Sequence, residues 1–201
     1  SFYFASVIAI RSEWKNGEQR RLDVRDGDKI RYPRVLIKEG GIISYSAPGH
    51  SAPVVELLTK NDKIRVFVSE WSPTKPADAT GFKPLILAKK LTPNADTKKT
   101  NFEELIIPMI DLKVSGHVDS LLGLKNTSGD VLDQAKQEST LKLNEHGFEA
   151  KSAVAFGASR GFDPPKKTLE IKNEFLFWIA AKDERVRYPL FCIRVPKSAW
   201  K

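Results

Sequence analysis

Three observations predict an α+β chain built mainly of antiparallel β-sheets with few short helices. β-rich runs flank turn signals through the first part of the chain, a proline-rich middle leaves room for one short helix, and two dense apolar runs close the sequence around a charged turn. At 201 residues the sequence has the length of one domain and enough chain for one sizeable core. Apolar residues at 41% and charged residues at 29% describe an ordinary globular composition.

The chain opens on Ser1 to Ile10, an aromatic and β-branched run expected to be a central strand. No basic leader or small-residue cleavage pattern precedes it, so it reads as a strand cut from something longer, and no targeting signal reveals localisation. Arg20 to Val24 and Lys29 to Leu36 flank the turn pair Asp26-Gly27, a hairpin signature, and Gly40-Gly41 leads into a strand at Ile42 to Tyr45. Val54 to Thr59 and Ile64 to Val68 form a second hairpin around Lys60-Asn61-Asp62-Lys63. From Ser72 to Thr100 the prolines Pro73, Pro76, Pro84 and Pro93 predict loop, with at most one short helix around Leu85 to Leu91. A domain linker would lie there, yet the runs on either side hold too few strands to close separate cores, and a single domain is expected. Leu105 to Ile110 reads as one strand kinked at Pro108, Val118 to Leu124 as one or two helical turns, and Ser139 to Asn144 as a half-buried strand by its period-two alternation. Ala150 to Ser159 is made largely of small residues and runs into Arg160-Gly161-Phe162-Asp163-Pro164-Pro165, which predicts an exposed extended loop. Glu174 to Ala181 and Pro189 to Val195, separated by Lys182-Asp183-Glu184-Arg185, are expected to finish the chain as a buried antiparallel pair.

Several function classes fall away on composition. The longest uninterrupted apolar run, Phe175 to Ala181, is far short of the roughly 20 residues that span a bilayer, so no transmembrane helix and no membrane partner are expected. Cys192 is the one cysteine, and with His50, His117 and His146 it cannot assemble a zinc ribbon, so neither a metal nor a cofactor is predicted. Each histidine sits beside a glycine without a nucleophile elbow, phosphate loop or HExxH helix, which reads as exposed turn histidines and not as catalytic machinery. Lys and Arg number 33 against 25 Asp and Glu, a net charge of +8 that could draw a polyanion. The basic pairs Arg20-Arg21, Lys89-Lys90, Lys98-Lys99 and Lys166-Lys167 are dispersed, however, and lack interleaved aromatics, so solvated faces are the expectation. Asn126-Thr127-Ser128 is a candidate glycosylation site in a polar stretch, with Asn126 as the acceptor.

The order of the last sixty or so residues resembles the carboxy-terminal half of the serpin family. Thr140-Leu141-Lys142-Leu143-Asn144-Glu145-His146-Gly147-Phe148-Glu149-Ala150 is similar to the family's strand-to-hinge segment, whose consensus is Asn-Glu-Glu-Gly-Thr-Glu-Ala-Ala. Glu174-Phe175-Leu176-Phe177-Trp178-Ile179 resembles its Pro-Phe-Leu-Phe-Phe-Ile strand, and Tyr188-Pro189-Leu190-Phe191-Cys192-Ile193-Arg194-Val195 its final Pro-Leu-Phe-Met-Gly-Arg-Val strand. Weaker matches run in the same order upstream: Val7 to Trp14 with Ala-Ile-Tyr-Phe-Lys-Gly-x-Trp, Tyr32 to Val35 with Val-Pro-Met-Met, Val55 to Leu58 with Leu-Glu-Leu-Pro, and Leu105 to Pro108 with the strand before a short helix. Two departures stand out: Cys192-Ile193 replaces the Gly of the last strand, and Phe148 stands where the hinge has Thr.

The resemblance implies a non-enzymatic mechanism. A protease cleaves an exposed bait loop, here at about 148–165, and the loop's amino-terminal side then inserts as a new strand into a β-sheet. It implies a hinge at Glu145, His146, Gly147, Phe148, Glu149 and Ala150. Period two places Phe148, Ala150, Ser152, Val154 and Phe156 on one face, which by the resemblance turns inward. The bait bond is expected at Arg160, with Gly161 and Phe162 as neighbouring candidates; Arg160 suits a trypsin-like serine protease. Phe148 is expected to oppose insertion, because overpacking costs on the order of 1 to 3 kcal/mol and about 1.4 kcal/mol on the insertion barrier slows it roughly tenfold. The alternative reading is therefore a non-inhibitory serpin that carries a small ligand or serves as a storage protein. A half of this kind leaves sheet edges and apolar faces uncovered, so the amino-terminal half of the same domain is expected as a companion chain. An extracellular location follows from the resemblance alone.

Overall fold

A strand that is apolar at every position is stable only between two packed layers, because both of its faces must leave water. Phe175 to Ala181 meets that condition in the computed structural model, which describes residues 2–5, 10, 12–15, 19–26, 29–71, 82–117, 132–148 and 167–201. The run forms β13 (Phe175–Ala181) within a central sheet. Its neighbours are β5 (Ile42–Tyr45), β6 (Val54–Leu57), β7 (Ile64–Glu70) and β14 (Phe191–Val195), in the order β5-β6-β7-β13-β14, with every pair antiparallel. Alternation divides their side chains between two clusters. Phe175, Phe177 and Ile179 join Val55, Leu57, Val66 and Val68 in the larger core. Leu176, Trp178 and Ala180 join Phe67 on the opposite face.

That opposite face is covered by α1 (Lys83–Leu91), which contributes Ala88 and Leu91. Pro84 occupies its first turn, where a missing N–H costs nothing, and Lys89 and Lys90 oppose the negative end of its dipole. The Phe67 and Trp178 rings stack at 5.3 Å, and Trp178 Nε1 donates to Thr92 Oγ1 at 3.0 Å just past the helix.

A second sheet holds β3 (Gln19–Asp26), β4 (Lys29–Ile37), β8 (Glu104–Pro108) and β12 (Thr168–Glu170) in the order β3-β4-β8-β12. The β3–β4 hairpin closes with Asp26 opposite Lys29. A further sheet holds β1 (Phe2–Ala5), β2 (Ser12–Glu13), β9 (Ile110–His117), β10 (Leu132–Asn144) and β11 (Gly147–Phe148). Ile110, Leu141, Leu143 and Phe148 from this third sheet meet Phe175 and Phe177 in the larger core, which Val35, Ile37, Leu105 and Ile107 of the second sheet extend.

The structure departs from the sequence expectation at Leu105 to Ile110, at the start of β10 and at His50, among other positions. Leu105 to Ile110 is two strands in two different sheets. Pro108 has no N–H for the ladder, Met109 N–H turns to Pro33 O at 3.0 Å, and the chain changes sheet at Met109. β10 begins at Leu132, well before the alternation at Ser139, because β1 and β9 hold its polar first half by backbone pairing. His50 is half-buried instead of exposed: Ser69 Oγ donates to Pro53 O, so His50 Nε2 donates to Ser69 Oγ at 2.8 Å. Val118 to Leu124 lies outside the described residues.

Phe177 joins the central and third sheets and is fully buried. Phe177→Ala is expected to lower the unfolding free energy by about 3–5 kcal/mol. Ile86→Ala, on the exposed side of α1 where the side chain is 57% accessible, should change it by no more than about 0.5 kcal/mol. Denaturant unfolding of the two variants checks the contrast.

Candidate functional site

One edge of β10 has two successive neighbours. Leu143 pairs with Ile110 of β9 and also with Phe148 of β11, so β9 and β11 lie on opposite edges. Lys136 pairs with His117 of β9 and also with Ala5 of β1, so β1 and β9 lie on opposite edges too. β1 and β11 therefore share an edge. Near its start β10 is paired there, in parallel, with β1 from Phe2↔Leu132 to Ala5↔Lys136; near its end it is paired, antiparallel, with β11. The chain that leaves β1 reappears as β2 on the far side of β11, with Gly147↔Glu13 and Phe148↔Ser12 antiparallel. Where β1 and β10 touch, the sheet is closed; where β2 and β10 stand apart, a strand of two residues fills the space.

The turn that delivers β11 is set by local chemistry. Asn144 Oδ1 accepts the N–H of His146 at 2.9 Å, an Asx turn. Gly147 follows at φ 150°, and a Cβ there would stand 2.9 Å from Glu13 Cα and collide with the Ser12 carbonyl oxygen. Only glycine allows that approach. Phe148 enters the core with 1% of its surface accessible. Its ring lies 6.2 Å from Trp14 and 5.9 Å, edge-on, from Phe177, which in turn meets Phe191 at 6.3 Å. Trp14 Nε1 donates to Asn144 O at 3.0 Å, so one indole packs on the ring and binds the turn. β2 is itself fastened to the loop between β6 and β7: Lys15 N–H donates to Leu58 O at 2.8 Å, Lys60 N–H to Glu13 O at 2.9 Å, and Lys60 Nζ pairs with Glu13. That ammonium, hydrogen-bonded to Glu13, holds its carboxyl below the usual range.

Of the expected hinge residues, Glu145 and His146 are half-buried in the turn, 3.7 Å apart, and Gly147 and Phe148 form β11. Glu149 and Ala150, the inserting residues Ser152, Val154 and Phe156, the bait residues Arg160, Gly161 and Phe162, and Asn126 lie outside the described residues. Phe148, expected to oppose insertion, has its ring in an aromatic pocket between β2 and β10. Trp14, Phe177 and Asn144 were not singled out as site residues. Asn144 three residues before Gly147 is a turn signal visible in sequence, but the packing of Trp14 and Phe177 on Phe148 spans more than a hundred residues on one side and about thirty on the other and leaves no local trace.

A separate cleft of about 780 Å³ opens beside α1, lined among others by Tyr45, Arg65, Lys89, Lys99, Arg187 and Tyr188. Its floor is a buried polar network. Arg65 donates through Nε and Nη2 to Glu56 at 2.9 and 2.8 Å and through Nη1 to Pro93 O at 2.8 Å, while Tyr45 Oη donates to Glu56 Oε2 at 2.9 Å. Burial, reinforced by the adjacent Glu56 charge, pushes the Tyr45 phenol up to about 12. Lys89 Nζ lies 4.1 Å from the Tyr188 ring centroid, and Asp183 is engaged by Arg185 at 2.7 Å. Burial likewise pushes the Cys192 thiol up to about 12, which keeps it a poor nucleophile. Among the described residues no cluster of three metal-ligating side chains occurs, and no helix is long and apolar enough to cross a membrane.

No family model and no curated protein matches the sequence. Solved structures do match the fold. Serpin48, a highly specific serpin of the insect Tenebrio molitor, superposes with a TM-score of 0.58 at 16% identity, over 92% of this chain and 52% of its own. A serpin from the trematode Schistosoma haematobium gives 0.56 at 17% identity over 93% and 54%. Thyroxine-binding globulin in complex with thyroxine gives 0.54 at 13% identity over 92% and 52%. The chain has a partial serpin fold and spans about half the length of the structures it matches.

The raised Tyr45 pKa carries a sign. A phenol whose folded pKa lies above its unfolded value near 10 contributes its stability in full below pH 10 and loses it as pH climbs towards about 12. Across that window the unfolding free energy of the wild type should fall more steeply than that of Tyr45→Phe, as read by denaturant unfolding at stepped pH.

Proposed function

On the premise of a partial serpin fold, we propose that this chain is the carboxy-terminal part of a serpin-type protease inhibitor and that its bait segment enters the sheet of β10 after cleavage. One observation carries this reading: the edge of β10 that β1 pairs at one end is occupied at the other by β11, antiparallel to both flanking strands. A longer β11 would add backbone hydrogen bonds along two edges at once, each worth about 1 kcal/mol net. Ala150, Ser152 and Val154 are small enough for a packed interior, and Lys151 on the other face stays in water. Arg160 is the bait residue. The protease serine attacks its carbonyl carbon, an ester forms, the Arg160–Gly161 peptide bond breaks, and the proton passes to the leaving amine of Gly161. Insertion then draws the ester-linked protease away before water can hydrolyse it. The amino-terminal half of the domain is the companion that covers the exposed faces, and an extracellular trypsin-like serine protease, with glycan at Asn126 on the inhibitor, is the setting.

A second reading, a carrier of small ligands, is favoured by the cleft beside α1, whose lining carries Lys89, Lys99, Lys182 and Arg187 against Asp183 and Glu184, around the Tyr45–Glu56–Arg65 floor. That charge suits an aromatic carboxylate, and thyroxine-binding globulin, a fold neighbour, is solved with thyroxine.

Incubation with trypsin separates the two. An adduct stable to heat and SDS, absent from Arg160→Ala, is the expected result. Clean cleavage near Arg160 with no adduct and no large gain in thermal stability would overturn the inhibitor and leave the carrier.

A further inference from the structure

The backbone ladder between β6 and β7 stops at Val55↔Val68, whereas on its other edge β7 keeps pairing with β13 through Ser69↔Leu176 and Glu70↔Phe175. Beyond Val68, side chains make the link on the β6 side. Ser69 is wholly out of water, and its hydroxyl donates to Pro53 O at 2.9 Å, which commits its single proton. Its oxygen then accepts from His50 Nε2 at 2.8 Å.

His50 and Pro53 both lie in the 46–53 connection between β5 and β6. Pro48 and Gly49 form its tight turn: Gly49 adopts φ 73°, which glycine takes at little cost, and His50 N–H donates to Ala47 O at 3.1 Å. The turn brings the imidazole to Ser69. Because Nε2 must carry a proton to reach Ser69, the neutral ring leaves Nδ1 without one, and acid adds a proton there together with a full charge.

Among the described residues no carboxylate is set to receive that charge. The 46–53 connection holds no other ionisable side chain. On β7, the backbone of Glu70 hydrogen-bonds the ring and favours its charged form, but the Glu70 carboxylate accepts from the N–H groups of Lys172 and Asn173. The Lys172 ammonium pairs with Glu170, and Glu174 with Arg194. Tyr45 of β5, Glu56 of β6 and Arg65 of β7 bind one another. Burial outweighs the Glu70 backbone and holds the imidazole below its ordinary range. A group shifted in this direction contributes stability above its unfolded value near 6.5 and loses it as pH falls through its folded value.

We propose that His50 is an acid-sensitive latch: neutral, it pins the 46–53 connection to the end of β7 through Ser69, and protonated, it releases that connection while the central sheet stays folded. The release reaches the rim of the cleft beside α1, because Ser46 N–H donates to Lys98 O at 2.9 Å and Tyr45 bridges Lys99, both of the latter lining the cleft. The latch rests on neither of the proposed functions.

Hydrogen exchange on the protein as isolated tests the latch, read at about pH 7.5 and about pH 5.5 as protection relative to each amide's own unfolded rate. The amides of Ser46 and His50 should lose protection several-fold at the lower pH while those of β7 and β13 keep theirs. His50→Gln retains a donor but does not titrate, so the acid response should vanish. Ser69→Ala removes one buried oxygen; it should lower the protection of the same amides already at the higher pH and flatten the response, and it serves where His50→Gln does not fold. Equal wild-type protection at both pH values, an acid response that persists in His50→Gln, a Ser69→Ala profile identical to the wild type, or a loss that spreads equally through β7 and β13 would overturn the latch.

Discussion

The sheet built around β10 depends on the close approach of Gly147 to Ser12. With any Cβ at that position β11 could not lie against β2, and β10 would lose the neighbour that follows β1 along its edge. The approach is in turn possible only because β2 is fixed from its other side. Lys15 and Lys60 bond it to the loop between β6 and β7, and Asn61 N–H donates to Ser12 Oγ at 3.2 Å, so β2 belongs mechanically to the central sheet while it pairs with β11. A displacement of β11 must therefore be resisted by the central sheet as well as by its own pairing.

The central sheet suits that task because it is packed on both faces. Residues of β7 and β13 alternate between the larger core and the cluster under α1, so neither strand can shift register without moving large side chains out of two packed layers. The one strongly polar intrusion, Glu56, is satisfied on every side by Arg65 and Tyr45. Removing either partner would leave a buried carboxylate short of a donor, so the network ties β5, β6 and β7 to one another.

How much of this was legible in sequence follows the range of the interaction involved. The β3–β4 hairpin, β5, the β6–β7 hairpin and the β13–β14 pair were visible because turn residues and apolar density are local signals, and α1 was visible as the one gap in a proline-rich stretch. The first half of β10 was not, since Asp133, Gln134, Lys136, Gln137 and Glu138 give no apolar face and its pairing comes from strands distant in sequence. β12 is three residues long and owes its existence to a parallel pairing with β8. The burial of Phe148 was not legible either: the volume of the ring can be read in the sequence, whereas the pocket that receives it is built by Trp14 and Phe177 from opposite ends of the chain.

A residue that is buried both before and after a strand enters a sheet adds nothing to the free-energy difference between those two forms, just as uniform binding of substrate and transition state adds nothing to a chemical rate. On the inhibitor reading proposed above Phe148 would be such a residue: its contacts with Trp14 and Phe177 are already made, so they would not drive a strand in. On that reading the drive would come from Ala150, Ser152, Val154 and Phe156, which period two assigns to one face, and of these only Val154 and Phe156 bring sizeable apolar surface. The proposed division of labour is then between a large ring already buried at Phe148 and a run of small side chains that would keep later steps free of overpacking, with the gain coming chiefly from new backbone hydrogen bonds on two edges.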